Sequence, residues 1–179
     1  MATITLLDGN DHVNAGDEDD LIDAGGGNDT VNAGGGDDVI YQKDAGIDVV
    51  DGGDGYDRLI LDYSAEGSAW IQLGRGIWSE YYDAQGNFLM RSGVGFDVEM
   101  PANTANWGFR SNHYGVVYTG IEELTITGTP LMDYLIGGAQ ADLLRGGDGN
   151  DVLRGLAGDD VLDGGEGVDT LEGGAGDDR

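Results

Sequence analysis

Two stretches of the chain place one aliphatic residue at every ninth position. Val13, Ile22, Val31, Ile40, Val50 and Leu59 mark the first, with one ten-residue step between Ile40 and Val50. Leu135, Leu144, Leu153, Leu162 and Leu171 mark the second. An apolar beat of that length matches neither the 3.6-residue stripe of a helix nor the unbroken alternation of a long strand. Glycines precede each beat, as in Gly146-Gly147-Asp148-Gly149 and Gly52-Gly53-Asp54-Gly55. The pattern predicts a six-residue turn followed by a three-residue strand that carries one inward side chain. Two such units close a coil, and successive coils stack at about 4.8 Å, the spacing of neighbouring strands. Fixed-period self-similarity of this kind means a repeat architecture.

The polar positions keep the same time. With the units numbered one to nine and the aliphatic at eight, aspartate occupies position six: Asp11, Asp20, Asp29, Asp38, Asp48 and Asp57, then Asp133, Asp142, Asp151, Asp160, Asp169 and Asp178. The first run slips once, by one residue, at Asp48. Turns two units apart lie on the same edge of the stack, which sets Asp20 beside Asp38 and Asp142 beside Asp160. Bare carboxylates so placed repel. Hard oxygens in flexible turns are what Ca²⁺ takes, with about 6–8 ligands at roughly 2.3–2.6 Å. Carbonyls freed by the glycine turns complete such a shell, at Gly25, Gly27, Gly34, Gly36, Gly52, Gly55, Gly137, Gly146, Gly149, Gly155, Gly158, Gly164 and Gly167. Zinc is disfavoured in a chain with no cysteine and only His12 and His113. Mg²⁺ fits less well because it demands a strict octahedron and keeps water. Pairing turns two units apart gives about eight ions, fewer if the irregular turns at Leu6-Leu7, Glu18, Lys43 and Gly128–Ile136 stay empty. With so thin an interior, the blocks are expected to fold only with the ion bound.

Residues 62–127 break the period. They hold all three tryptophans, all three phenylalanines and five of the eight tyrosines, and read as a separate β-rich unit between a first block, 1–61, and a second, 128–179. Strands are expected at 69–73, 77–82, 88–91, 96–100, 116–118 and 123–127, with a hairpin turn at 83–87. The whole is therefore all-β with almost no helix. Trp70, Trp78, Tyr81, Tyr82, Trp107 and Tyr114 carry two readings: a surface that stacks on carbohydrate or peptide, or the unit's own core. Apolar residues at position seven (Leu21, Val39, Leu143, Val152, Val161) are either an outer packing face or plain β-propensity.

Charge narrows the partners. With 35 acidic against 8 basic residues, a formal net charge of −27, neither nucleic acid nor an anionic membrane is an expected partner. No apolar run reaches the roughly 18 residues of a membrane span, and Met1–Gly9 lacks the features of a secretory signal. The run breaks off at Asp178, as expected of a piece of a longer polypeptide.

These residues resemble the RTX family of secreted bacterial proteins with tandem GGxGxDxUx nonapeptides. The likeness covers both blocks and is sharpest in Gly146–Arg154 (GGDGNDVLR) and Gly164–Glu172 (GGEGVDTLE). It implies parallel β-rolls with Ca²⁺ between stacked turns, the position-six aspartates as side-chain ligands, export by a type I system and an extracellular location. It also implies attachment to a larger toxin, enzyme or adhesin. Tyr118–Gly128 (YTGIEELTITG) is similar to the lead-in such proteins use before a repeat block. No HExxH or GxSxG motif occurs, and neither proline follows an aspartate as the self-cleaving members require. No enzymatic activity is expected of the chain itself.

Overall fold

The structure, a computed structural model, describes residues 1–43, 47–65, 78–82, 88–93 and 115–179. Its elements are short strands: β1 (Thr3–Thr5), β2 (His12–Asn14), β3 (Leu21–Asp23), β4 (Thr30–Gly35), β5 (Val39–Gln42), β6 (Ile47–Asp54), β7 (Arg58–Asp62) and β8 (Trp78–Tyr82). They continue with β9 (Phe88–Gly93), β10 (Gly115–Thr119), β11 (Glu123–Thr127), β12 (Tyr134–Ile136), β13 (Leu143–Gly149), β14 (Val152–Ala157), β15 (Val161–Gly167) and β16 (Thr170–Ala175). No helix occurs among the described residues. Odd and even strands of the first block go to opposite faces, because each nine-residue unit turns the chain through half a coil.

One face is a seven-stranded parallel sheet in the order β1-β3-β5-β7-β11-β13-β15. The other comprises a four-stranded sheet, β10-β6-β4-β2, and a three-stranded one, β12-β14-β16. The result is a parallel β-solenoid of about six turns. The seven-stranded sheet passes from the first repeat block into the second without a break, through β7, β11 and β13. The two blocks are thus one roll, and the chain between them leaves and rejoins it. β8 and β9 pair antiparallel across 83–87 as the hairpin reading expects. The strands expected at 69–73 and 96–100 lie outside the described residues.

Composition had grouped 115–127 with the aromatic unit, whereas pairing puts β10 on β6 and β11 on β7, as rungs of the roll. A rung needs only an inward apolar residue and a free neighbouring edge. Tyr118 in β10 and Leu124 and Ile126 in β11 meet that demand without a position-six aspartate, Glu122 standing in its place before Leu124.

The core is the position-eight column. Val13, Ile22, Val31, Ile40, Val50, Leu59, Leu135, Leu144 and Leu153 are all buried. Ala24 and Ala33 fill the corners, and Leu61, Tyr63, Tyr118, Leu124 and Ile126 pack at the junction. Burial lapses at the last coil, where Leu162 is partly covered and Leu171 is 46% exposed. The junction also shifts frame. Leu124 pairs with Leu59, but Ile126 pairs with both Leu61 and Leu144. The beat of the second block is therefore offset by two residues from that of the first. A two-residue offset leaves every side chain on its own face, so β7 and β11 each turn two large apolar residues inward, Leu59 with Leu61 and Leu124 with Ile126. At position seven, Leu21, Val39, Leu143 and Val152 are half-buried and Val161 is exposed.

Since β11 stacks directly on β7, replacing 66–113 with a short glycine-rich turn should leave a roll that still gains β-sheet circular dichroism with Ca²⁺. Loss of that gain would show that the intervening unit is needed to close the junction. In the core, Leu144→Ala should lower unfolding free energy in Ca²⁺ by about 2–5 kcal/mol, read from urea midpoints.

Candidate metal centre: stacked turns along the edges of the roll

Each turn must bring backbone oxygens against the coil beside it, and glycine makes this possible. Gly34 and Gly36 adopt φ of 107° and 112°, which side chains resist. A Cβ at Gly25 would lie 2.6 Å from the carbonyl oxygen of Leu7, one coil away. Leu156 is the one non-glycine residue with positive φ among the described residues, at 82°, in a place where other units carry glycine.

The position-six aspartates form two buried rows. Asp20, Asp29, Asp38, Asp48, Asp57, Asp133, Asp142, Asp151 and Asp160 are all buried, Asp38, Asp48 and Asp57 fully. Asp11, Asp169 and Asp178, near the ends of the stack, are partly covered. Within a row, Oδ1 accepts the backbone N–H of the preceding coil. Asp11 donates to Asp29 at 2.9 Å, Asp20 to Asp38 at 2.7 Å, Asp29 to Asp48 and Asp38 to Asp57 at 2.8 Å. The second block repeats the arrangement from Asp133 to Asp151 (2.8 Å), Asp142 to Asp160 (2.8 Å), Asp151 to Asp169 (2.9 Å) and Asp160 to Asp178 (3.0 Å). At the junction Glu122 takes the acceptor role, receiving the N–H of Asp57 at 3.0 Å, while Asp142 accepts from Leu124 at 2.8 Å.

The other carboxylate oxygen is the telling one. Oδ2 of Asp29, Asp38, Asp57, Asp151 and Asp160 is buried with no hydrogen-bonding partner. Leaving a charged oxygen so placed costs several kcal/mol unless a cation compensates it. The glycine at position one frames the same space. A Cβ at Gly146 would fall against Asp151 Oδ2 and 2.6 Å from the Gly164 carbonyl oxygen. Gly155 similarly adjoins Asp160 Oδ2 and the Gly173 carbonyl. Carboxylate and carbonyl oxygens of adjacent coils therefore converge on a point that any side chain would fill. An all-oxygen set suits a hard divalent ion. Among the described residues no three His, Asp or Glu side chains come together, as expected where the backbone supplies much of the shell.

A second set of contacts had no counterpart in the sequence reading. At position five, the side chain accepts an N–H from the following coil: Asn28 donates to Asn10 Oδ1 (2.9 Å), Asp37 to Asp19 (3.0 Å), Tyr56 to Asp37 (2.9 Å), Val168 to Asn150 (2.8 Å) and Asp177 to Asp159 (2.9 Å). The signal was the recurrence of Asn or Asp at position five, which passes for ordinary turn chemistry. His12 is exposed. Trp70, Trp107 and Tyr114 lie outside the described residues, and of β8, which bears Trp78, Tyr81 and Tyr82, only the backbone is described.

The RTX calcium-binding nonapeptide repeat family matches residues 7–40, 127–162 and 145–179. The two repeat blocks belong to that family and form a calcium-binding structural module. No curated protein matches the chain.

Burial pushes the carboxyl groups of Asp48, Asp57 and Asp142 up to about 6, and raises those of Asp38, Asp151 and Asp160 as well. A carboxyl that holds its proton more tightly when folded favours the fold below its ordinary value of 3.8 and loses that contribution as pH rises through about 6. With Ca²⁺ chelated, the chain should therefore show more β-sheet dichroism at pH 5 than at pH 7.5. At Asp57, and at Asp38, Asp151 and Asp160, protons and the ion compete for the same oxygens, so the Ca²⁺ midpoint should move to higher concentration as pH falls below about 6. A midpoint that stays constant from pH 7.5 to 5 would contradict this coupling.

Proposed function

We propose that the chain is a calcium-triggered folding module of an exported protein, unfolded at the low Ca²⁺ of the cytosol and folded outside the cell. The observation that carries this is the set of five buried Oδ2 atoms without partners. In the absence of a cation they oppose the fold, and a bound cation turns the same atoms into its strongest cohesion. Binding energy then becomes folding energy. Low-affinity extracellular calcium modules work at roughly 10⁻⁴–10⁻³ M, a range that keeps such a chain open before export and closes it afterwards. The side-chain ligands in this reading are the position-six aspartates, with carbonyls of the position-one to position-four glycines beside them. The module itself performs no catalysis and serves a larger polypeptide.

Support for export comes from the matched family, which is typical of secreted proteins. Among the described residues, no helix is long and apolar enough to cross a membrane. Recognition of carbohydrate or peptide through the aromatic unit is the alternative role, but its candidate side chains lie outside the described ones and no observation favours it.

Titrating the chelated chain with Ca²⁺ at pH 7.5 should give a cooperative rise in β-sheet dichroism, complete in the low millimolar range. Absence of any rise up to about 10 mM would remove the proposal. Asp38→Asn should shift the midpoint to higher Ca²⁺ severalfold, since Asp38 is wholly buried and its Oδ2 is unsatisfied.

A further inference from the structure

The buried aspartates are not equivalent. Five present an unsatisfied Oδ2, but at three others the chain supplies the donor. Gln42 Nε2 donates to Asp48 Oδ2 at 2.7 Å. The backbone N–H of Thr129 donates to Asp133 Oδ2 at 2.6 Å, and its hydroxyl lies 3.1 Å from both Asp133 oxygens. The backbone N–H of Gly138 donates to Asp142 Oδ2 at 2.5 Å. These three positions flank the rungs where the chain leaves the roll and returns: Asp48 in β6, against which β10 pairs, Asp133 before β12, and Asp142 one coil beyond Glu122. The unsatisfied carboxylates are Asp29 and Asp38 before these positions, Asp151 and Asp160 after them, and Asp57 between Asp48 and Asp133.

Gln42 explains the single slip in the nonapeptide period. It is the tenth residue of its unit, standing between Tyr41 at position nine and Lys43 at the head of the next. As the last residue of β5 it pairs with Leu61 and points inward with it, 1% exposed. An extra residue at the end of a strand would ordinarily disturb the register. Here both faces absorb it, since Val31 pairs with Val50 and Ile40 with Leu59. What the extra residue adds is a buried amide aimed at the carboxylate that follows.

We propose that Asp48, Asp133 and Asp142 take no calcium ion, and that Gln42 and the neighbouring chain donors replace the cation at the waist of the roll. The calcium array is accordingly split at these three positions, and Asp57 stands as a site between them. This rests on the aspartate rows being the calcium ligands, and the test separates the two ideas.

The measurement is the number of Ca²⁺ ions bound by the full chain at saturation, by equilibrium dialysis with elemental analysis. Asp38→Asn and Asp151→Asn should each lose at least one ion. Asp48→Asn should retain the parent count, because the Gln42 amide can turn its oxygen toward the new amide. Gln42→Glu sets a second carboxylate against Asp48 and should recruit one additional ion. If Asp48→Asn loses as many ions as Asp38→Asn, or Gln42→Glu binds no more than the parent, the split array is overturned while calcium binding stands. If neither Asp38→Asn nor Asp151→Asn loses an ion, the ligand reading itself fails. Should Gln42→Glu not fold, the comparison of Asp48→Asn with Asp38→Asn still decides.

Discussion

Everything in this molecule follows from carboxylates stacked in rows inside a solenoid too thin to solvate or ignore them. Away from the ends of the stack, each nine-residue unit contributes one inward aliphatic residue and, at the turn, one buried aspartate. In a thicker domain a charge at such depth is paired with an arginine or lysine. This chain has eight basic residues in all, and the ion pairs they form among the described residues, such as Arg58 with Glu123 and Lys43 with Asp23, sit at the outer surface. The interior charge is left to oxygen-binding cations. Glycine is the other half of the same constraint, since carboxylate and carbonyl oxygens converge only where no Cβ intervenes. Glycine, aspartate and aliphatic residue recur together because they solve one problem jointly.

A solenoid held by neighbour-to-neighbour contacts tolerates interruption in a way a globular core does not. Every coil needs only a rung below it to pair with and an apolar residue to turn inward. The departure between β7 and β10 therefore costs the roll nothing in alignment: β11 resumes the seven-stranded sheet directly on β7. Two irregularities in the period are absorbed by different means. The one-residue slip before Asp48 is shared by both faces, so partners 18 residues apart become partners 19 apart. The two-residue offset at the junction is taken up inside the strands, where alternation returns the same face.

The nonapeptide positions could be read directly from the chain because there the residue type and its geometric task coincide. A glycine at positive φ, a buried aspartate and an inward leucine each leave a mark at a fixed interval. β10 and β11 leave a fainter mark: Tyr118, Leu124 and Ile126 extend the apolar column with only Gly120, at φ 61°, and Glu122 before Leu124, and rich aromatic surroundings draw the stretch toward the aromatic unit. The position-five contacts were hidden for the opposite reason. Asn10, Asp19, Asn150 and Asp159 have the composition of any turn, and only the stacking shows that their acceptors face the next coil. In the sequence Gln42 shows only as a one-residue slip of the period, because its donor group matters only once Asp48 is seen beside it.

The two polar ladders run in opposite directions, and this bears on how the roll assembles. A position-six oxygen takes its hydrogen from the coil before it, and a position-five oxygen from the coil after it. A turn such as Asp37–Asp38 is thereby tied both ways: Asp38 accepts from Asp20 and Asp37 accepts from Tyr56. Neither bond can form until the adjacent coil is in place, so an isolated coil gains almost nothing, and each added coil secures the one before. The first coil is thus the costly step, as in any one-dimensional stack. Calcium acts on that step most directly, because the oxygens it gathers belong to two coils at once.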